Sequence, residues 1–444
     1  MRSVVVHGHF YQPPREDPWT DEVPVEKGAA PFHDWNARIA QECYEPFGAA
    51  RLLNPAGDVS GTMNLYEWTS FDVGTTLMRW IERHSPVAYR AMLDADRASA
   101  ARFGGHGNAV AMPYHHVILP LASRRDKVAE VRWGLDDFRR RFGRDAEGMW
   151  LPETAMDEET LVVLAEAGVR FTILAPQQVV NAPADGGPLG FDAGGGRSLA
   201  LFVYNGPLAA DAAFGALLND GDAMARRMAP PATGATRTGG DGTLVSLAVD
   251  GETFGHHHKF AEMALARAVS KLRADPLVRV ENYASVLARM PARVEAELVA
   301  PSSWSCPHGV ERWRSNCGCR MNAGTSQEWR RPLRAALDWL ARILDDRIPS
   351  LDADLLSAAP PPGAVRSRFG MFGSCAWFFD DAAGLEVELM LRLAAHAIDL
   401  AGDEDIERRF IERLTLAKSN YPAEGDAGKM YVTRIRAAHA ARST

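Results

Sequence analysis

Cysteine is scarce in this sequence: five residues in 444, three of them crowded between Cys306 and Cys319. That count and spacing exclude the disulfide framework of a small secreted domain. Long apolar runs are missing too, since nothing approaches the ~18–20 consecutive residues that a membrane-spanning helix needs. The N-terminus passes from Met1 straight into Val4, Val5 and Val6 without a signal-type apolar core and cleavage site, so a cytoplasmic location is expected. Basic residues are in deficit, 49 Lys and Arg against 57 Asp and Glu, for a net charge of -8. This balance argues against nucleic acid or an anionic membrane as a partner and points to a neutral or small-molecule substrate. A chain of this length buries a large core and is expected to hold two or three domains.

What is present alternates. Strand-like apolar runs at Val4 to Phe10, Val59 to Tyr66, Gly148 to Leu151, Val169 to Leu174, Leu199 to Tyr204 and Thr243 to Val249 are separated by helical stretches. Those helices are Gly74 to Arg90, Arg124 to Phe142, Met156 to Gly168 and Leu208 to Leu218. Alternation of this kind predicts an α/β fold with parallel strands, closed into a barrel of about seven strands. Pro18 to Asn54 reads as a long loop over the strand ends, and Ala182 to Arg197 and Ala229 to Gly242 as surface loops. Beyond Tyr283 the pattern changes to helices, Trp329 to Asp345, Gly384 to Leu400 and Asp405 to Lys418, with a proline-rich break at Ala359 to Ala364. The expected division is a catalytic barrel over residues 1–295 and a helical domain over 296–444.

Chemistry-bearing residues gather at the strand ends. Glu153 closes an apolar run just before a helix. Alone, it reads as a carboxylate complementing a helix macrodipole, but the same corner of an α/β fold is where active sites are built. His7 and His9 are two apart on a strand and project to one side. Tyr114, His115 and His116 bring two more histidines near a strand end. Asp250 follows a strand as Glu153 does, in the densest polar cluster of the chain, Asp250-Gly251-Glu252-Thr253-Phe254-Gly255-His256-His257-His258. Two acids at two strand ends suit glycosidic bond cleavage, one as nucleophile and one as acid/base. An Asp with His-x-His equally suits a metal-dependent hydrolase. Cys306, His308, Cys317 and Cys319 form a candidate four-ligand zinc set, although Cys-x-His and Cys-x-Cys depart from the usual knuckle spacing and inert thiols beside a functional loop are the plainer reading.

Taken together, the motifs resemble glycoside hydrolase family 57, retaining enzymes of the (β/α)7 barrel type that act on α-glucans. His7-Gly8-His9-Phe10-Tyr11-Gln12-Pro13 is similar to the first family motif. Gly107-Asn108 with His116-Val117-Ile118-Leu119-Pro120-Leu121 is similar to the second, and Trp150-Leu151-Pro152-Glu153 to the third. Asp250-Gly251-Glu252-Thr253-Phe254-Gly255 resembles the fourth, and Ser374-Cys375-Ala376-Trp377-Phe378 falls where the fifth belongs. The Trp304 to Cys319 segment looks like a branch of the family in which an uncharacterised helical domain follows the barrel; relatives in that branch run past the end of this chain. Two positions depart from the pattern: Val110 stands for an acidic residue of the second motif, and Ala376 for the Asp before Trp in the fifth.

The resemblance implies Glu153 as nucleophile and Asp250 as acid/base, with carboxyl groups about 5–5.5 Å apart. It implies an α-glucan or maltooligosaccharide as substrate and no cofactor. His7, His9 and His116 are then expected to hold the sugar beside the scissile bond, with Gln12 and Trp150 of the same motifs around it, Trp377 stacking on it and His256 lining the acceptor side. Glu252 is expected to fix its loop rather than to react. The competing readings are a metal-dependent carbohydrate deacetylase or hydrolase using His7, His9, Asp250 and His115 or His116, and a glucan-binding barrel without turnover.

Overall fold

The computed structural model describes residues 1–229, 242–347 and 363–443. At its centre lies β1 (Arg2–Phe10), buried everywhere but at its first residue. A near-continuous apolar run is what a strand covered on both faces requires. Further strands follow in order: β2 (Ala50–Leu53), β3 (Val59–Met63), β4 (Ser70–Val73), β5 (Phe171–Leu174), β6 (Leu189–Gly194), β7 (Arg197–Val203), β8 (Thr243–Asp250) and β9 (Val278–Val280).

β1 runs parallel to β8 along Arg2 to His9, to β4 along His7 to Phe10, and to β9 at its start. Parallel pairing continues through single bridges, Phe71 to Ala109, Ala111 to Met149 and Gly148 to Phe171, and then through β5 to β7. Past β7, the Asn205 N–H donates to the Ser246 carbonyl of β8 at 2.8 Å. The architecture is α/β with parallel strands, as the alternation predicted. The intervening helices include Arg124–Phe142, opened by the Ser123 side chain accepting from the Asp126 N–H and closed by Gly143 at φ 70°. That N-cap and left-handed C-terminal glycine are the usual stops of a helix.

Three expectations are corrected. The Val59 to Tyr66 segment is no strand of the parallel sheet: β3 pairs antiparallel with β2 in a hairpin whose β3 residues are exposed except Met63. The strand beside β1 is instead β4, Ser-Phe-Asp-Val, whose inward polar residues conceal its signal. Pro18 to Asn54 is not all loop, because Trp35–Ile39, Ala40–Tyr44 and Glu45–Gly48 form consecutive helical turns started by Asp34, which accepts from the Ala37 N–H. Within Ala182 to Arg197, β6 folds back antiparallel on β7. The loop expected between Ala229 and Gly242 and the proline-rich break from Ala359 lie, apart from their ends, outside the described residues.

Helices Arg330–Asp345, Leu385–Ala401 and Glu404–Leu414 fall where helical periodicity placed them. They share a core with Trp313, Trp329 and Tyr431, separate from the core around β1. Ile118 and Ala155, each close to a strand-end motif, belong to this helical core. The helices therefore pack against the end of the sheet where those motifs emerge. Among the described residues, no helix is long and apolar enough to cross a membrane.

Candidate active site

The pairing register of the parallel strands assembles the site. His9 of β1 stands opposite Asp72 of β4 on one side and Asp250 of β8 on the other, and His7 stands opposite Ser70. Asp72 bridges the two histidines, Oδ1 to His7 Nε2 at 3.0 Å and Oδ2 to His9 Nδ1 at 2.8 Å. His7 Nδ1 meets Ser70 Oγ at 3.0 Å, His9 Nε2 meets His116 Nε2 at 3.1 Å, and His116 Nδ1 meets Ser374 Oγ at 2.6 Å.

The contacts fit either a neutral or a cationic His9, and the surrounding carboxylates select the cation. His9 is the cation, with both its N–H groups donating, to Asp72 and to His116. Neutral His116 passes its own N–H to Ser374, and neutral His7 donates to Asp72 and accepts from Ser70. The charges agree: burial lowers the pKa of His7 and His116, while Asp72, with Asp250 and Glu252 adding to it, outweighs burial and raises His9 to about 9. Asp72 is correspondingly held below the usual carboxylate range by the two histidines, against the effect of its own burial.

Glu153 occupies a turn, Pro152–Thr154, with φ 58°, and Thr154 follows at φ 48°. Left-handed backbone costs an L-residue about 1–2 kcal/mol, more uncomfortably for β-branched Thr. Neighbours hold the turn. Thr154 Oγ1 donates to Gln178 Oε1 at 2.8 Å, Gln178 Nε2 donates to the Thr154 carbonyl at 2.8 Å, and Met156 pairs with Ser302 through two backbone hydrogen bonds. Strain kept in place in this way clusters at functional sites. The macrodipole role fails for Glu153, because the next helix, Glu158–Glu166, has its own cap in Asp157. The Glu153 carboxylate turns instead to the distant Trp304-Ser305 pair: Trp304 Nε1 and Ser305 Oγ both donate to Oε2, at 2.9 and 2.6 Å. Oε1 has no hydrogen-bond partner among the described residues.

Asp250 makes no hydrogen bond among the described residues. Its side chain is exposed at the end of β8, within electrostatic reach of Glu153, Asp72 and His9. Desolvation there, with the charges of Glu153 and Asp72 adding to it and His9 opposing, raises its pKa to about 6. Glu252 is buried and accepts from the Tyr44 hydroxyl at 2.7 Å and the Tyr11 N–H at 3.1 Å, both on Oε1. Burial, with Asp250 adding to it, raises Glu252 to about 8. It ties its loop to two other segments. Gly251 between the two acids is needed for space, since a Cβ there would lie 2.2 Å from the Phe10 ring.

These shifts predict alkaline sensitivity. A group whose pKa is raised on folding contributes stability that is complete below its unfolded value and is lost as pH climbs through its folded value. For Glu252 that window runs from 4.5 to about 8, and for His9 from 6.5 to about 9. Each shift corresponds to on the order of 3–5 kcal/mol before their mutual coupling is counted. The melting temperature should therefore fall steadily from pH 6 to 9. Glu252→Gln, which keeps an acceptor for Tyr44 and Tyr11, should flatten the fall. A wild-type melting temperature constant over that range would refute this assignment of protons.

The remaining expected residues divide. Trp150 is buried and stacks on His7, ring centres 4.7 Å apart, and on His9 at 5.3 Å. Gln12 lies at the rim, its Nε2 on the Tyr11 carbonyl and its Oε1 accepting from Arg15. His256 pairs with Glu42 at 2.5 Å, out along the loop. Trp377 is not at the cleft: it is 1% exposed in the helical core, with its Nε1 on the Arg330 carbonyl at 3.3 Å. The fifth motif reaches the site through its preceding residues, Ser374 on His116 and Cys375 on the Tyr11 hydroxyl at 3.4 Å. His115 points away to Glu130. Val110 and Ala376, the two departures, are both buried. Asp72, Trp304, Ser305 and Ser374 belong to the site and were not singled out from the sequence. Asp72 left a local trace in its Ser-x-Asp pair at strand spacing, and Ser374 in the fifth motif that it opens.

A family model described as glycosyl hydrolase family 57 matches residues 6–298, well over half of the chain. The chain belongs to that family. A second model, a domain of unknown function (DUF3536), matches residues 364–443, beyond the family 57 region. The 4-alpha-glucanotransferase of Thermococcus litoralis is 27% identical over 106 residues, which is 24% of this chain and only 15% of that enzyme. Among solved structures, an exo-type maltose-forming amylase from Pyrococcus sp. ST04 superposes with a TM-score of 0.69 at 13% identity, covering 93% of this chain and 83% of that one. The Thermococcus litoralis 4-alpha-glucanotransferase structure gives 0.62 at 15% identity, covering 90% of this chain and 59% of the other. At these identities the likeness is one of fold, and it extends past the family 57 region into the C-terminal helices.

Proposed function

We propose that this family 57 chain is a retaining glycosidase or glucanotransferase acting on α-glucans, with Glu153 as nucleophile and Asp250 as acid/base. The observation that carries the reading is the contrast between the two carboxylates. Glu153 has one oxygen pinned by two donors and the other free. The Asp250 side chain is exposed and unbonded among the described residues, with its pKa raised to about 6. In the first step Glu153 Oε1 attacks the anomeric carbon, the glycosidic C–O bond breaks, and Asp250 gives its proton to the departing oxygen. Once Glu153 is an ester its charge no longer opposes ionisation of Asp250, whose pKa falls, so the carboxylate left by the first step stays ionised and available as the base. It then removes a proton from water or a sugar hydroxyl, which attacks the same carbon and releases Glu153.

His9 and His116 fit the side of the site that holds the sugar beside the bond, with the His9 charge fixed by Asp72 and the buried Trp150 packed behind His9. Seven of the parallel segments, β1, β4, the bridges at 109–111 and 148–149, β5, β7 and β8, with short β9 set aside at the start of β1, fit a (β/α)7 barrel over residues 1–295, with residues 296–444 as the helical domain. A metal enzyme built on His7, His9 and Asp250 fits less well, because all four ring nitrogens of His7 and His9 are already engaged. The α-glucan substrate class follows from the activities named for the similar amylase and glucanotransferase.

The test is incubation with maltooligosaccharides, following the first-formed products by proton NMR and chromatography. New reducing ends should appear in the α configuration, and oligomers longer than the substrate would identify transfer. A β-configured first product would overturn retention, and no product from linear or branched α-glucans would overturn the reading as a whole.

A further inference from the structure

We infer that Cys306, His308, Cys317 and Cys319 bind one zinc ion in a closed Cys₃His tetrahedron, and that this centre anchors the loop that holds Glu153. The four ligand atoms all lie within 4.8 Å of one another, although the two pairs are separated by eight residues of chain. Cys306 Sγ is 3.9 Å from Cys317 Sγ and 3.8 Å from Cys319 Sγ, and Cys319 Sγ is 3.5 Å from His308 Nδ1. A tetrahedron with Zn–S of about 2.3 Å and Zn–N of about 2.0–2.1 Å has edges of about 3.8 Å between sulfurs and about 3.5 Å from sulfur to nitrogen. These three edges match a metal polyhedron and far exceed the ~2.05 Å of a disulfide, and the others stay within 4.8 Å.

A second observation is independent of these distances. Arg330 is fully buried with Nε and Nη2 unpartnered, while its Nη1 donates to the Cys319 carbonyl at 2.8 Å. A buried guanidinium needs a nearby anion. Three thiolates, a neutral imidazole and a divalent cation sum to one negative charge beside it. Four protein ligands leave no open position, so the centre is structural and not a Lewis acid for substrate.

Its reach to Glu153 is short. Cys306 directly follows Ser305, whose hydroxyl and the neighbouring Trp304 indole hold Glu153 Oε2. The stretch between is a tight turn, with Ser303 Oγ donating to the Gly309 carbonyl at 2.7 Å and the Gly309 N–H to the Cys306 carbonyl at 3.2 Å. The metal assignment stands without the proposed function, whereas the role in holding Glu153 rests on it.

The test begins with elemental analysis of untagged, full-length protein, where one zinc per chain is expected. Cys317→Ser/Cys319→Ser should lose it. As a check that does not depend on that variant folding, zinc displaced from the wild type by an organomercurial and chelator should be replaceable, after reduction, by Co²⁺ with thiolate-to-cobalt charge-transfer absorption. Metal well below one per chain together with no such absorption overturns the site. In the stripped protein, new proteolytic cuts should appear between residues 304 and 319, and kcat should fall about ten- to hundred-fold with KM changed less. Unchanged cutting and unchanged kcat overturn the anchoring role. Stoichiometric zinc in a chain inactive on every α-glucan supports the centre and instead overturns the reading of Glu153.

Discussion

Glu153→Gln should lower kcat on maltooligosaccharides by about 10⁴- to 10⁶-fold, the scale of removing a nucleophile from a covalent mechanism. The amide keeps an oxygen for Trp304 and Ser305, so the turn and its clamp should survive and the melting temperature should barely move. What is lost is a carboxylate able to form an ester. Added azide provides the sharper check. In Glu153→Ala, which also clears the side chain's volume, azide can enter the vacated face and displace an activated leaving group once, giving a glycosyl azide of inverted configuration. Recovery of that product identifies Glu153 by position as well as by necessity. A Glu153→Gln protein within tenfold of wild type would end the covalent reading.

Asp250→Asn should cost about 10²- to 10⁴-fold in kcat/KM on natural glucans, the usual worth of a positioned proton donor, and should change the pH profile. In the wild type the acid must start protonated, so kcat/KM should fall about tenfold per pH unit once the pH passes about 6, where Asp250 titrates. In Asp250→Asn that limb should vanish. Aryl glycosides whose leaving groups need no proton should retain much more of their first-step rate than maltooligosaccharides do. A basic limb near pH 6 that persists in the variant would assign the titration to another group.

Much of this arrangement is legible in the sequence where a local pattern carries it. Strand-end acids announce themselves because an apolar run leads into Glu153 and another into Asp250, and His7 and His9 share a face by strand geometry alone. The helices beyond Trp329 follow from their apolar periodicity. What the sequence hides has a common cause, that burial of polar groups runs against the pattern. Ser70 and Asp72 lie inside the sheet only because His7 and His9 satisfy them, so the four-residue β4 looks like loop and the more apolar Val59 segment competes for its place. Trp304, Ser305 and Ser374 act on residues about 150 to 260 positions away, and no local period reports a contact of that range. Trp377 misleads in the opposite direction. A tryptophan in a motif invites a stacking role, while its size also makes it the natural centre of a helical core.

The origin of those long-range partners bears on how the molecule comes to work. Both acids, His9 and Asp72 are present once the first 250 residues exist, and the family 57 match ends at residue 298. The two donors that aim Glu153 arrive just after that boundary, and the hydroxyl that ends the histidine chain arrives more than seventy residues later, at Ser374. A fragment cut at residue 298 would therefore hold both proposed catalytic acids and lack the two donors that orient Glu153. Such a fragment is expected to show no turnover although it carries both acids, because chain beyond the family 57 match completes the shape around them.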